Sequence, residues 1–183
     1  KLTTVSGAPS AHIDDFGIKN LPPIEAWPEM DWRSLPELAA YPERMNCGVE
    51  LLDKTAEQFK DRPAIHFENT VWTYAHLLDK ANQIAHVLVD ELGVKPGNRV
   101  LLRAPNNPMY VAAWFAVMKA GAIGVATMPL LRAKELVYIT ERAEVAVGLC
   151  DEHLNDEMEL TLEKSKMLKQ TIYFSNLGNT PKE

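Results

Sequence analysis

From residue 46 onward the apolar positions fall into an ordered series of periods. Val49, Leu51, Leu52, Ala56 and Phe59 share one face of a helix. Residues 64–67 and 71–74 read as two short strands around the turn residues Asn69 and Thr70. Thr73 is placed to cap the helix that follows. In it Leu77, Leu78, Ala81, Ile84, Ala85, Leu88 and Leu92 recur at spacings of three and four, one buried stripe. Gly93 closes it, where a left-handed residue is usually needed. Residues 100–102 form a strand. Asn107 is a helix N-cap with Pro108 in the first helical position. The helix over 108–120 is apolar nearly all round, so it is expected to be buried on most sides. A strand at 123–126, a helix at 133–143 and a strand at 145–149 follow. Asp151 opens a further helix, with acids at 151, 152, 156 and 157 and the lysines 164, 166 and 169 at its end, an order that suits the helix dipole. Residues 171–174 make a last strand. Strand and helix thus alternate after residue 60, which predicts an α/β fold: a mostly parallel sheet with helices on both faces.

Residues 1–45 break this pattern. They hold six of the twelve prolines, interleaved with Trp27, Trp32 and Tyr41. Proline removes a backbone donor and disfavours helix in the residue before it. Large aromatics have little reason to sit in a solvated tail. The segment is expected to be an ordered arm lying on an α/β domain of residues 46–183.

Composition narrows the function. A hydrophobic fraction of 46% and a charged fraction of 24% are ordinary for a globular chain. The net charge of −6, with no long basic run, makes nucleic acid a poor partner. No apolar run approaches the ~20 residues of a membrane span, so no membrane partner is expected. Cys47 and Cys150 are two isolated thiols, expected to be buried and inert. With no N-x-S/T site and no signal-peptide stretch, they point to a soluble protein of the reducing cytoplasm.

Few motifs carry chemistry. There is no G-x-G-x-x-G, no G-x-x-x-x-G-K-[ST] and no G-x-S-x-G. Gly121-Ala-Ile-Gly124 reads as a helix stop before a strand. The histidines 12, 66, 76, 86 and 153 lack metal-ligand spacing, and His76 and His86 fall at the polar edge of their helix. The acids around residue 151 are explained by a solvated first helical turn. No metal site is expected.

Several stretches together resemble the opening of the adenylate-forming superfamily, which contains acyl-CoA synthetases and peptide-synthetase adenylation domains. They are Asn46-Cys-Gly-Val-Glu-Leu-Leu-Asp53, Arg62-Pro-Ala-Ile65, Trp72-Thr-Tyr74, and Gly93-Val-Lys-Pro-Gly-Asn-Arg-Val100, with Asn98 where the family usually has Asp. Pro105-Asn106-Asn107 and Met118-Lys-Ala-Gly-Ala122 continue the series. Asn20-Leu-Pro-Pro23, Trp27-Pro28, Tyr41-Pro-Glu-Arg44, Arg103-Ala-Pro-Asn-Asn-Pro108 and the stretch from Met128 to Leu136 are similar to the aryl-CoA ligases, the 2-aminobenzoate–CoA ligases in particular.

The resemblance implies that residues 46–183 are the N-terminal subdomain of an ATP-dependent aromatic acid–CoA ligase. A carboxylate would attack ATP to give an acyl-adenylate and pyrophosphate, with Mg2+. The thiol of coenzyme A would then displace AMP. The family's phosphate loop, its later aromatic-x-T-E motif, its ribose-binding Asp and its C-terminal Lys have no counterpart in this sequence. No catalytic residue is carried over. The chain, which opens on Lys1, is expected to be an inactive piece of a longer enzyme, with no cofactor bound. In some relatives a basic residue just after the proline matching Pro129 lies near the nucleotide phosphate of coenzyme A. Here that position is Leu130, which leaves Arg132 and Lys134 as candidates for the phosphate. Surface uncovered by the missing segments is expected to drive self-association. A stand-alone α/β module that binds a nucleotide or coenzyme A without catalysis, and a purely structural domain, are the competing readings.

Overall fold

The computed structural model describes residues 11–28, 34–42 and 44–178. Trp32 and the end of the polar stretch at residues 175–180 lie outside them.

The ordered core begins at Asn46. Its side-chain oxygen accepts the backbone N–H of Gly48 at 2.9 Å and of Val49 at 3.3 Å, while its amide donates to the Met118 carbonyl at 2.9 Å. The wide π-helical turn Val49–Asp53 runs from there into the α-helix Lys54–Phe59, together called α3 after the short arm helices α1 (Phe16–Lys19) and α2 (Pro36–Ala39). Strands β1 (Pro63–Phe67) and β2 (Thr70–Thr73) form an antiparallel hairpin. Tyr74 is the first residue of α4 (Tyr74–His86) and not a strand residue, because the Thr73 hydroxyl caps the helix by accepting from the N–H of His76 at 3.2 Å. The helix continues as a wider turn, Val87–Glu91, and ends at Gly93 with φ +65°.

Beyond it lie β3 (Arg99–Arg103), α5 (Pro108–Lys119), β4 (Ile123–Thr127), α6 (Ala133–Arg142), β5 (Val147–Asp151), α7 (Asn155–Lys164) and β6 (Gln170–Phe174). Among the described residues the four later strands make one parallel sheet in the order β4-β3-β5-β6. The side-chain alternation of a strand divides the core between its two faces. Val100, Leu102, Val147 and Leu149 pack with Leu88, Ala113, Ala116 and Val117 of α4 and α5. Leu101 and Cys150 pack with Met158 and Leu168, and with Ile139 of α6. The hairpin covers the far side of α4 and α5, burying Leu52, Trp72, Leu77, Ala81, Met109 and Ala112. The expected parallel sheet with helices on both faces is the observed one.

Three local expectations change. The strand read at 145–149 lies two residues later. Asp151 is therefore its buried last residue, paired with Phe174 in the parallel register; it still caps the 3-10 turn Glu152–Leu154 that leads into α7, but from a buried position and not a solvated one. α7 starts at Asn155 and ends at Lys164, which leaves Lys166 and Lys169 beyond the helix. Cys47 is exposed and only Cys150 is buried, because Cys47 sits on the outer side of the turn that Asn46 organises.

Among the described residues the arm is fastened through Ile13, Asp14 and Phe16 and not through Trp27 or Tyr41. The N–H groups of Ile13 and Asp14 donate to the Pro96 carbonyl at 2.9 and 3.0 Å. The Asp14 carboxylate accepts from Asn98 Nδ2 and from Arg99 Nη1, both at 2.8 Å. The Arg99 guanidinium stacks 4.2 Å over the Phe16 ring. Trp27 instead bonds within the arm, to the Pro22 carbonyl, and Tyr41 is exposed.

Candidate functional site

The order β4-β3-β5-β6 sends the chain from β3 to one side through α5, then back across β3 to the other side through α6. The strand order therefore reverses between β3 and β5. Ligands of open α/β sheets bind in the crevice outside the carboxyl ends of the strands at such a point. Here the strand ends are Arg103, Thr127, Asp151 and Phe174.

Asp151 ends β5 at 1% exposure. A bare carboxylate at that depth would be costly, and it is fully engaged. Oδ2 accepts from Asn107 Nδ2 at 2.8 Å. Oδ1 accepts from the backbone N–H of His153 and faces His153 Nδ1, each at 2.9 Å. Asn107 in turn caps α5, accepting the N–H of Tyr110 at 2.8 Å. The helix start and the end of β5 are thereby latched together across the reversal point.

Arg103 ends β3, also at 1% exposure. Nη1 donates to the Met128 carbonyl at 3.1 Å, and Nη2 donates to the carbonyls of Pro129 at 3.0 Å and Leu131 at 2.8 Å. Nε has no partner. Burial lowers the basicity of the guanidinium, an effect opposed by Cys150 and Glu157. Beside it, burial pushes the Cys150 thiol up to about 12, against the pull of the Arg103 charge.

The turn that Arg103 holds leads into α6, where the expected phosphate residues stand. Arg132 is the N-cap residue and Lys134 lies in the first turn, and both side chains are exposed. Their chain order brings them to one helix end, close to the sheet's carboxyl edge. Two of the backbone donors of that end are already used. The N–H of Arg132 donates to Glu135 at 3.1 Å and that of Ala133 donates to Glu157 of α7 at 2.7 Å. The exposed side chains of Arg132 and Lys134 stand at this same end.

An apolar groove of about 510 Å³ lies along the end of β6, between Ile84 and Val87 of α4, Met109 and Ala113 of α5, and Phe174. Among the described residues no group of three or more His, Cys, Asp or Glu side chains could hold a metal ion. The residues present do not form a set that fits ATP and Mg2+. At the start of α6 the described residues present two exposed basic side chains, Arg132 and Lys134.

Sequence reasoning put Arg132 and Lys134 at a helix start, where the structure has them, and missed Arg103, Asn107 as a latch, and Asp151. A signal existed for the first, an arginine closing an otherwise apolar parallel strand. Asp151 gave none, because an acid before a helix looks the same whether buried or solvated.

The model of the AMP-binding enzyme family matches residues 52–182. Among solved structures, an anthranilate–CoA ligase in complex with anthranoyl-AMP is similar with a TM-score of 0.68 and 25% identity, over 79% of this chain and 27% of that one. A benzoate–CoA ligase from Burkholderia xenovorans, 22% identical with a TM-score of 0.65 over 74% of this chain and 27% of its own, shows the fold alone. A long-chain-fatty-acid–CoA ligase of Salmonella typhimurium is 29% identical over 138 residues, which are 75% of this chain and 24% of the relative. A linear gramicidin synthase of Brevibacillus parabrevis is 32% identical over 129 residues, 70% of this chain and 2% of that protein. The chain thus spans about a quarter of the ligases it matches and far less of the synthase. On the match over residues 52–182, the chain belongs to the AMP-binding enzyme family of adenylate-forming ligases.

Proposed function

We propose that this chain is the N-terminal part of a ligase that joins an aromatic acid, 2-aminobenzoate or a near relative, to coenzyme A. Residues 1–45 act as an arm and 46–183 as the first α/β subdomain. The supporting observation is the likeness to the anthranilate–CoA ligase over 79% of the chain. The aryl-ligase stretches in and beyond the arm, such as Arg103 to Pro108, point the same way.

In this reading the carboxylate attacks the α-phosphate of ATP, releasing pyrophosphate, and the coenzyme A thiol then displaces AMP. The residues described here hold and orient. Arg132 and Lys134 meet the nucleotide phosphate of coenzyme A, by their position at the start of α6 and at the carboxyl edge of the sheet. Charge stabilisation at the reacting phosphate is left to segments outside this chain, since no phosphate loop or metal cluster occurs among the described residues.

The test is pyrophosphate release by the gene product at its native length, compared with the 183-residue chain. Release with 2-aminobenzoate in preference to a long-chain fatty acid, and none from the chain alone, is the expected result. Preference for the fatty acid would overturn the substrate assignment. Acyl-CoA formation by the chain unaided would overturn the division of labour.

A further inference from the structure

Arg103 is the largest side chain buried below 2% exposure. It forms no ion pair among the described residues, an unusual condition for a guanidinium at that depth. All three of its hydrogen bonds go to carbonyls of one short turn, those of Met128, Pro129 and Leu131. A planar fork with several donors can serve three carbonyls at once, which a lysine ammonium on a flexible stem cannot do with the same geometry.

The consequence is directional. With its carbonyls drawn inward, the turn leaves Met128 at 63% and Leu130 at 83% exposure, immediately before the basic pair. The next element is fastened independently, by Glu135 and by Glu157 of α7. The turn is therefore fixed from below by β3 and from its far end by α7. Arg132 and Lys134 follow it directly and inherit that position. A core-stabilising arginine would be expected to pair with one of the nearby acids. Instead this one spends its donors on the backbone that leads to the basic pair.

We propose that Arg103 is a positioning residue. It fixes the Met128–Leu131 turn so that Arg132 and Lys134 are set for the phosphate of a thiol-bearing nucleotide cosubstrate. The inference rests on the reading that these two side chains receive coenzyme A.

Two variants test it in the gene product at its native length, Arg103→Met and Arg103→Lys. The readouts are the calorimetric dissociation constant for coenzyme A, amide hydrogen exchange across residues 128–134, and pyrophosphate release in the first half-reaction. Misplacing a contact by ~1 Å can cost up to about a hundredfold. Arg103→Met is expected to weaken coenzyme A binding about tenfold, to speed exchange across the turn, and to leave pyrophosphate release within about twofold. Arg103→Lys is expected to restore part of the affinity. If Arg103→Met does not fold, Arg103→Lys decides, with a smaller rise in the dissociation constant expected. Unchanged affinity in whichever variant folds would overturn the inference, as would a loss of pyrophosphate release equal to the loss of coenzyme A affinity, which marks a purely structural residue. Absence of coenzyme A binding by the unsubstituted protein would overturn the underlying reading and this inference with it. A normal affinity that Arg103 does not influence would overturn the inference alone.

Discussion

At the residue scale, burial separates groups that composition treats alike. Cys47 and Cys150 are both free thiols, but one is exposed and the other is a buried residue of β5, packed against Met158 and Leu168. Only the thiolate is a good nucleophile. With its thiol pushed up to about 12 by burial, Cys150 is neutral at pH 8 as well as inaccessible. We expect iodoacetamide at pH 8 to label one thiol per native chain, at Cys47, and two after denaturation. Rapid labelling of Cys150 in the native protein would contradict its placement. Asp151 and Arg103 follow the same logic. Each is a charged side chain made tolerable by hydrogen bonds, with His153 facing Asp151 as well.

At the element scale, the arm is attached through a polar knot, and this explains a departure from the family pattern. Asn98 replaces the usual aspartate and donates to Asp14 at 2.8 Å. An aspartate there would place two carboxylates against each other. Asn98→Asp is expected to loosen the arm and cost about 1–2 kcal/mol at neutral pH. Gly97 belongs to the same junction. Its φ of +91° suits glycine, and a Cβ there would lie 2.5 Å from the Asp14 carbonyl. The attachment also depends on pH. Burial raises the Asp14 carboxyl, but bonds from the Phe16 N–H, Arg99 and Asn98 outweigh it and hold the group below the usual carboxylate range. A carboxylate lowered in the folded state stabilises above its unfolded value, near 3.9, and that contribution is lost as pH falls through the lower folded value. Hydrogen exchange in residues 11–20 is therefore expected to lose protection below about pH 4 before the sheet does. The Asp14→Asn variant should lack this step. An acid loss of protection in the arm that persists unchanged in Asp14→Asn would contradict the role of the carboxylate.

At the scale of the whole molecule, the parallel sheet ends among the described residues in two edge strands, β4 and β6. β6 pairs with β5 on one side only, Ile172 is 38% exposed, and the apolar groove of about 510 Å³ runs beside it. Trp114 on α5 and Leu51 on α3 add exposed apolar surface at 40% and 54%. Unpaired edges and contiguous apolar patches promote association between chains. As part of the proposed reading, the 183-residue chain is expected to self-associate with rising concentration in sedimentation equilibrium. The native-length product should show less of it, because further chain would cover this edge. A strictly monomeric chain at high concentration would remove that expectation. Among the described residues no helix is long and apolar enough to cross a membrane.

The sequence by itself determined the elements and their class. The stripe from Leu77 to Leu92, the cap at Asn107 with Pro108, and the alternation after residue 60 are local signals, readable because helix and strand periods are set by backbone geometry. Strand ends were less legible. Residues 145 and 146 are as apolar as those in β5, and only the register with β3 and β6 decides that Asp151 is inside. Arm docking misled in a similar way. Tryptophan and tyrosine announce burial, yet Asp14 and Phe16 make the contacts, because Arg99 happens to end up opposite them. The candidate site shows the same division. Arg132 and Lys134 were visible as a basic pair at a helix start. The latch between Asn107 and Asp151, 44 residues apart, and the hold of Arg103 on a turn 25 residues later depend on which strands the sheet makes neighbours. Pairings of that separation are settled only when the chain closes, since the hydrogen bonds that decide them join strand ends that no local period relates.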